Sequence, residues 1–107
     1  MRQGRERRES LEIPRSLILY KLVFLEKALN DLEKIDRAHQ KIIKEKLLIL
    51  AENPAALKNN IKKLAADEDF YRLRIGSYRV VFKKKERRLL ILIVRIGHRK
   101  EIYLSLN

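Results

Sequence analysis

The feature of this sequence that most constrains its fold is an alternation of apolar and basic residues on either side of Gly76-Ser77. The segment reads F-Y-R-L-R-I-G-S-Y-R-V-V-F from Phe70 to Phe82. A period of two is typical of strands that bury one face and present the other. Glycine at the first position of a two-residue loop indicates a type II′ turn, because that position needs a positive φ. We therefore predict a β-hairpin here.

A two-residue loop also fixes which residues of the hairpin lie opposite each other. It sets Ile75 opposite Tyr78 and Arg74 opposite Arg79, and directly paired residues share a face. The predicted apolar face carries Tyr71, Leu73, Ile75, Tyr78, Val80 and Phe82. The predicted basic face carries Arg72, Arg74 and Arg79. Since like charges directly opposite each other are destabilising, we expect an anionic ligand or a carboxylate to compensate this arginine pair.

The composition limits the class of protein and the kinds of partner. At 107 residues, the chain suits one domain. Its 26 Lys and Arg against 14 Asp and Glu give a formal net charge of +12, which favours nucleic acid or an acidic protein as partner. The best apolar run is interrupted by Lys21 and Glu26, so we expect no membrane partner. With no cysteine there is no thiolate metal site, and we expect a cytoplasmic protein without a cofactor.

The order of patterns along the chain predicts the fold class. Residues 1–16 are charge-rich and are predicted to form a mobile basic extension, whereas 17–107 form the domain. Leu17 to Phe24 suits a first strand. Two helices follow, with stripes of apolar residues at Ala28, Leu29, Leu32 and Ile35 and then at Ile42, Ile43, Leu47 and Leu50. We expect Asp36 to cap the second helix and Pro54 to end it.

The second half of the chain is predicted to be mostly strand. Ala55 to Asp69 is expected to be a loop, with or without a turn of helix. The arginine hairpin follows, and Lys83 to Arg88 form a charged turn. Leu89 to Ile96 is an apolar run that suits a buried strand. The prediction is a single small α+β domain, in which an N-terminal strand and a two-helix hairpin pack on one face of an antiparallel sheet. The other face is expected to be open and basic.

The segment after the last strand supplies further candidate site residues. Gly97 is followed by His98, Arg99 and, four residues later, Tyr103. An imidazole, a guanidinium and a phenol near an arginine face suit RNA cleavage, which needs a proton removed from a 2′-hydroxyl and charge stabilised on phosphorus. The simpler interpretations are that His98 closes a turn, that Tyr103 is a core or partner-facing residue, and that Arg72 and Arg74 are the solvated side of a strand.

Five lysines are expected to extend the basic surface without choosing a cleavage position. They are predicted to bind RNA as a general electrostatic footprint, and they are Lys62, Lys63, Lys83, Lys84 and Lys85.

From about Leu19 to Tyr103, the order of strand, two helices, Y-R-L-R-I-G-S-Y-R-V-V-F and V-R-I-G-H-R-K-E-I-Y resembles the RelE/ParE toxin superfamily, and its RelE-like branch in particular. The resemblance implies a toxin of a type II toxin–antitoxin system that cleaves messenger RNA on the ribosome without a metal. It also implies a RelB-like antitoxin as partner, and a heterotetramer with that antitoxin is one assembly it allows. The alternative within the superfamily is a ParE-like inhibitor of DNA gyrase that has no nuclease activity.

The resemblance assigns roles to individual residues of this chain. Arg72 and Arg74 match the two basic positions before the turn, and Arg79 matches the arginine that binds or activates the phosphate. Arg99 matches a basic position implied in transition-state stabilisation and leaving-group protonation, and Tyr103 matches a tyrosine that stacks on a base or acts as general base. Because arginine stays protonated where lysine can act as a base, the general base is left open between His98, Tyr103 and neither.

Overall fold

A computed structural model describes residues 19–64 and 69–102 of the chain. One sheet contains the strands β1 (Lys21–Phe24), β2 (Ile61–Lys63), β3 (Phe70–Ile75), β4 (Tyr78–Lys85) and β5 (Leu90–His98). The helices are α1 (Glu26–Glu33) and α2 (Arg37–Glu52), with short 3₁₀ segments at Pro54–Asn60 and Glu86–Arg88. In the part of the chain described, no helix is long and apolar enough to cross a membrane.

The sheet has the strand order β1-β5-β4-β3-β2. The predicted α+β class is confirmed, but the sheet is mixed rather than wholly antiparallel, because β1 lies parallel to β5 with Lys21 opposite Leu90. The two helices that join β1 to the rest of the sheet provide the long crossover that a parallel neighbour requires. β2 was not predicted, since only three residues of the expected loop pair with the edge of β3.

The core lies between the two helices and one face of the sheet. Leu32 of α1 and Leu47 of α2 are buried together with Val80 and Phe82 of β4. This bears out the predicted apolar face of the hairpin and the packing of the helices against it. Not every residue of the predicted stripes is inside, because Leu29 is 45% exposed and Ile42 is 43% exposed.

Helix α2 is capped by Asp36, the residue that the sequence indicated. The side chain of Asp36 accepts a hydrogen bond from the backbone N–H of His39 at 3.2 Å, and the His39 Nδ1 lies 2.8 Å from the carboxylate. These contacts satisfy one of the free N–H groups of the first turn. The hydrogen bond from the His39 ring is the main reason that the pKa of Asp36 is lowered.

A β-bulge in β5 changes which of its residues face the core. Val81 pairs with Arg95, whereas the next residue, Phe82, pairs with Ile93, so Val94 is an extra residue in β5. Ile93 and Ile96 are three positions apart and would lie on opposite faces of a regular strand, yet both belong to the core. The bulge therefore reverses the alternation of β5 for every residue after it.

Asp31 of α1 binds β5 beside this bulge, beyond the point where β1 ends. Its carboxylate accepts from Arg95 at 2.7 and 3.0 Å and from the backbone N–H of Ile96 at 3.0 Å. Burial by itself raises the pKa of Asp31, but the hydrogen bonds from Arg95 and Ile96 and the guanidinium charge outweigh it and lower the pKa overall. Asp31 does not belong to the apolar stripe of α1, yet its contacts tie α1 to the sheet.

We expect Asp31→Asn to lower the free energy of unfolding at pH 7 by about 1–3 kcal/mol, because it replaces the charged acceptor of two Arg95 hydrogen bonds with a neutral amide. The measurement is urea denaturation followed by circular dichroism. Glu33→Gln, an exposed carboxylate on the same helix, is the matched control and should change stability little. Equal stability of the Asp31 and Glu33 variants would contradict the assigned role.

The pH dependence of stability provides a second test of the same carboxylate. Because the folded-state pKa of Asp31 lies below its ordinary value of 3.8, its stabilisation is present above that value and is lost as the pH falls through the folded pKa. Acid unfolding of the wild type should therefore include a loss of stability below about pH 3.8 that Asp31→Asn lacks. A wild type and a variant with parallel stability curves below that pH would contradict this assignment.

Candidate functional site

The arginine hairpin has the register that its turn predicted. Arg74 pairs with Arg79 and Ile75 pairs with Tyr78. Gly76 has φ +58°. Among the non-glycine residues of the described ranges only Leu89 has a positive φ, so the φ of Ser77 is negative. A positive φ at the first loop position and a negative φ at the second fit the predicted type II′ turn. Two arginines thus lie side by side on the sheet face that points away from the helices. We call this the arginine face.

The side chain of Arg79 is held against the turn itself. Its guanidinium donates hydrogen bonds from Nη1 to the carbonyl oxygens of Gly76 at 2.8 Å and Tyr78 at 2.9 Å. The partial negative charge of these carbonyls offsets part of the repulsion expected between Arg74 and Arg79. Arg74 is exposed, so the pair combines one fixed guanidinium with one that reaches into solvent.

Arg72 lies two residues before Arg74 on the same face, between Lys62 of β2 and Val81 of β4. It is half-buried, and its Nε is enclosed without a hydrogen-bond partner among the described residues. An enclosed donor without an acceptor costs about 1–3 kcal/mol. An anion that draws the guanidinium outward would relieve this cost.

The five predicted RNA-binding lysines do not share a face. Pairing and alternation place Lys62, Lys83 and Lys85 with the arginines, whereas Lys63 and Lys84 lie on the helix side. Lys84 lies over the ring of Tyr20 at 5.7 Å, and Lys85 is 3.3 Å from the carboxylate of Asp69. The single electrostatic footprint that was expected is thus divided between two surfaces.

His98 also lies on the helix side, which differs from its expected position near the arginine face. It pairs with Tyr78, and the centroids of the two rings are 5.9 Å apart. Its Nδ1 accepts a hydrogen bond from the backbone N–H of Lys100 at 3.2 Å, the turn-closing contact that was the simpler interpretation. The depression of about 470 Å³ beside it includes the carboxylates of Asp31 and Glu101 among its lining groups.

The turn after β5 brings the chain back over the arginine face. The backbone N–H of Arg99 donates to Ser77 at 2.7 Å, which places this exposed residue beside the hairpin turn. Ile102 is buried, and a Cβ on Gly97 would lie 3.2 Å from its Cδ1, so the close packing relies on glycine. Val81 is also buried on this face, which is consequently not as open as predicted. Tyr103 lies outside the described residues.

Phe70 also lies on this face, and no role was predicted for it. It pairs with Lys83, and the Lys83 ammonium lies 4.8 Å from the centroid of its ring. Counting back in steps of two from Arg74 would have placed Phe70 on the arginine face. The side chains of the arginine face on which the argument below depends are Lys62, Phe70, Arg72, Arg74, Arg79 and Lys83. Within the described part of the chain, no three His, Asp or Glu side chains are grouped so as to hold a metal ion.

Comparisons with known proteins agree with this architecture. The family model for the ParE toxin of the type II toxin–antitoxin system parDE matches residues 22–103. No curated protein sequence gives a significant match.

Three solved structures of toxin–antitoxin complexes are similar to this chain. The intact RelBE complex of E. coli matches at 27% identity over 74% of this chain and 95% of its own, with a TM-score of 0.63. The RelE-RelB complex of Pyrococcus horikoshii matches at 25% identity over 76% and 96%, with a TM-score of 0.67. The RelBE2 complex of Mycobacterium tuberculosis matches at 22% identity over 78% and 94%, also with a TM-score of 0.67.

The family model covers the chain from the first described strand to the turn that follows the last one, and the RelE structures share its fold. The chain therefore belongs to the ParE toxin family, within the RelE/ParE superfamily of type II toxin–antitoxin systems.

Proposed function

We propose that this toxin is a ribosome-dependent endoribonuclease that binds messenger RNA on the arginine face and cleaves it. The observation that carries the proposal is the grouping of Arg72, Arg74 and Arg79 with Lys62 on one face of the sheet. A phosphate bound between Arg74 and Arg79 would compensate the repulsion between them. The 27% identity between this chain and a chain of the E. coli RelBE toxin–antitoxin complex also supports a RelE-like toxin.

The proposed reaction is attack of a 2′-oxygen on the adjacent phosphorus. The bond from the 2′-oxygen to phosphorus forms, the bond from phosphorus to the 5′-oxygen breaks, and a proton passes from the 2′-hydroxyl side to the leaving oxygen. Arg79 is already fixed by the turn and is suited to stabilise charge on the phosphoryl oxygens without reorganising. Arg72 and Arg74 would bind the phosphate, with Arg99 beside the leaving group.

Proton removal needs a different residue, because a guanidinium stays protonated at any physiological pH. The placement of His98 on the helix side, with Nδ1 already accepting a hydrogen bond, argues against an imidazole base. Tyr103 is then the member of the predicted set that we assign to this step.

Residues 1–16 remain proposed as a basic extension that adds nonspecific attraction to RNA.

Inducing the toxin in cells and mapping messenger-RNA 5′ ends tests the activity directly. We expect codon-phased cuts, and we expect Arg74→Ala to reduce their frequency by about 10²-fold, the size of effect seen when one charge-stabilising donor is removed. Arg37→Ala is the matched control, since it removes an exposed arginine from the start of α2 and should leave the cuts unchanged. Equal cutting by the wild type and the Arg74 variant would contradict the role of the arginine face.

A ParE-like gyrase inhibitor without nuclease activity is the second candidate, because the family whose model matches this chain is the ParE toxin family. The same induction experiment separates the two functions. Intact messages together with DNA breaks and a DNA-damage response would support gyrase inhibition. Phased cuts without early DNA damage would support the endoribonuclease.

The two neighbouring lysines of β2 offer a matched test of the RNA-binding surface. Lys62 pairs with Arg72 on the arginine face, whereas Lys63 pairs with Tyr71 on the helix side, and both are exposed. We expect Lys62→Gln to weaken binding of a labelled single-stranded RNA and to reduce the slope of log K against log salt by about one. Fluorescence anisotropy at several salt concentrations measures both quantities.

Lys63→Gln also removes one positive charge, only about one residue of strand rise from Lys62, but on the other face of the sheet. It should therefore leave the salt slope nearly unchanged. If both variants weaken binding equally, the attraction is a property of net charge and the arginine face is not the binding surface.

We also propose a RelB-like antitoxin as partner, with a heterotetramer as one assembly, because the similar structures include complexes with RelB. Leu25 and Leu29 of the α1 region and Ile42, Leu48 and Ile49 of α2 are exposed apolar residues on a chain of net charge +12. These properties fit an antitoxin segment rich in acidic and apolar residues. We expect co-expression with the adjacent gene product to give a stable complex on size-exclusion chromatography and to relieve growth arrest. Arrest that persists beside that product would contradict the pairing.

A further inference from the structure

The arginine face consists of successive rows of residues across the sheet. Arg74 and Arg79 form the row next to the hairpin turn, and Arg72 with Lys62 forms the next one. The third row begins with Phe70 and Lys83 and continues through Leu92 of β5 and Val23 of β1. Two cationic rows are thus followed by a row that is mostly apolar.

The third row has the chemistry of a nucleobase site rather than of a phosphate site. Phe70 is half-buried and so presents part of its ring, and it shares the face with the side chains proposed to bind phosphate. The Lys83 ammonium lies over the ring, 4.8 Å from its centroid, which keeps a cation against the aromatic surface. Aromatic side chains beside a basic track bind single-stranded nucleic acid by stacking, whatever the base.

The spacing of the rows suits an extended strand of RNA. Residues two apart on a strand are separated by about 6.6 Å, so the ring of Phe70 begins about 13 Å along the sheet from Arg74. That distance corresponds to a nucleotide near the scissile phosphate and not adjacent to it.

We infer that Phe70, once RNA draws the flexible Lys83 side chain off its ring, is a nucleobase-stacking subsite that holds one base of the RNA at a fixed distance from the phosphate bound by Arg74 and Arg79. This rests on the proposed function, since it requires RNA on the arginine face. The subsite supplies affinity and register but no base preference. The simpler interpretation is a surface cation–π contact, like the one between Lys84 and Tyr20 on the helix side.

The test uses the full chain with short single-stranded RNAs that carry 2′-O-methyl groups, so that the 2′-oxygen cannot attack. Each RNA has one 2-aminopurine at a different position, and stacking on an aromatic ring quenches its fluorescence. We expect one position to be quenched by the wild type. Phe70→Leu should abolish that quenching and weaken binding by at least about fivefold, the lower end of the range for stacking on an aromatic side chain.

Three further variants make the result specific. Phe70→Tyr keeps a ring and should retain the quenching. Tyr20→Leu removes the aromatic partner of the opposite cation–π contact and should also retain it, with thermal unfolding used to verify that the variant is folded. Lys83→Gln should reduce the salt slope by about one, whereas Phe70→Leu should leave the slope unchanged.

Quenching that is unaffected by Phe70→Leu, that is lost equally in Tyr20→Leu, or that occurs at no position would overturn the subsite. The Arg74→Ala variant distinguishes failure of the subsite from failure of the proposed function. If Arg74→Ala loses RNA binding while Phe70→Leu does not change the quenching, only the subsite is wrong. If Arg74→Ala binds RNA as the wild type does, RNA does not lie on the arginine face and both proposals are wrong.

Discussion

The bulge in β5 is the constraint on which the division of this molecule into two faces depends. A strand has a period of two, so one inserted residue moves every later side chain to the other face. Because Val94 is inserted, Ile96 returns to the core and Gly97 comes to lie beside Arg79. Glycine at that point leaves room for Ile102 to pack on the arginine face. The same irregularity lies where Asp31 of α1 binds Arg95 and Ile96, so helix docking and strand phase are fixed together.

The hairpin and the helix cap could be predicted because their signals are local. Gly76 at the first loop position determines the register over six cross-strand pairs. Asp36 caps α2 by accepting a hydrogen bond from the backbone N–H of His39, only three residues later in the chain. The position of His98 could not be predicted in this way. An apolar run such as Leu89 to Ile96 shows no alternation, so nothing in it indicates the extra residue that reverses the phase of the strand. A regular β5 would have placed His98 on the arginine face.

Other features escaped prediction because they depend on residues distant in sequence. Asp31 looks like a solvated helix residue until Arg95 is known to lie beside it, and Lys62 and Lys63 look equivalent until β2 is seen to pair with β3. Phe70 is different, because its phase relative to Arg72 and Arg74 was already present in the alternation. Extending the pattern by one more step identifies the aromatic residue of the arginine face.

The parallel pairing of β1 with β5 has a consequence for how the chain folds. The β3–β4 hairpin and the two helices need only neighbouring residues, whereas β1 finds its partner strand at the far end of the described chain. Contacts between such distant segments form late, since the entropy of closing a long loop must be overcome first. During synthesis, β1 and α1 leave the ribosome long before β5 and must wait for it. The apolar side of α1, which packs against β5 in the folded chain, therefore cannot reach this partner until β5 has been made.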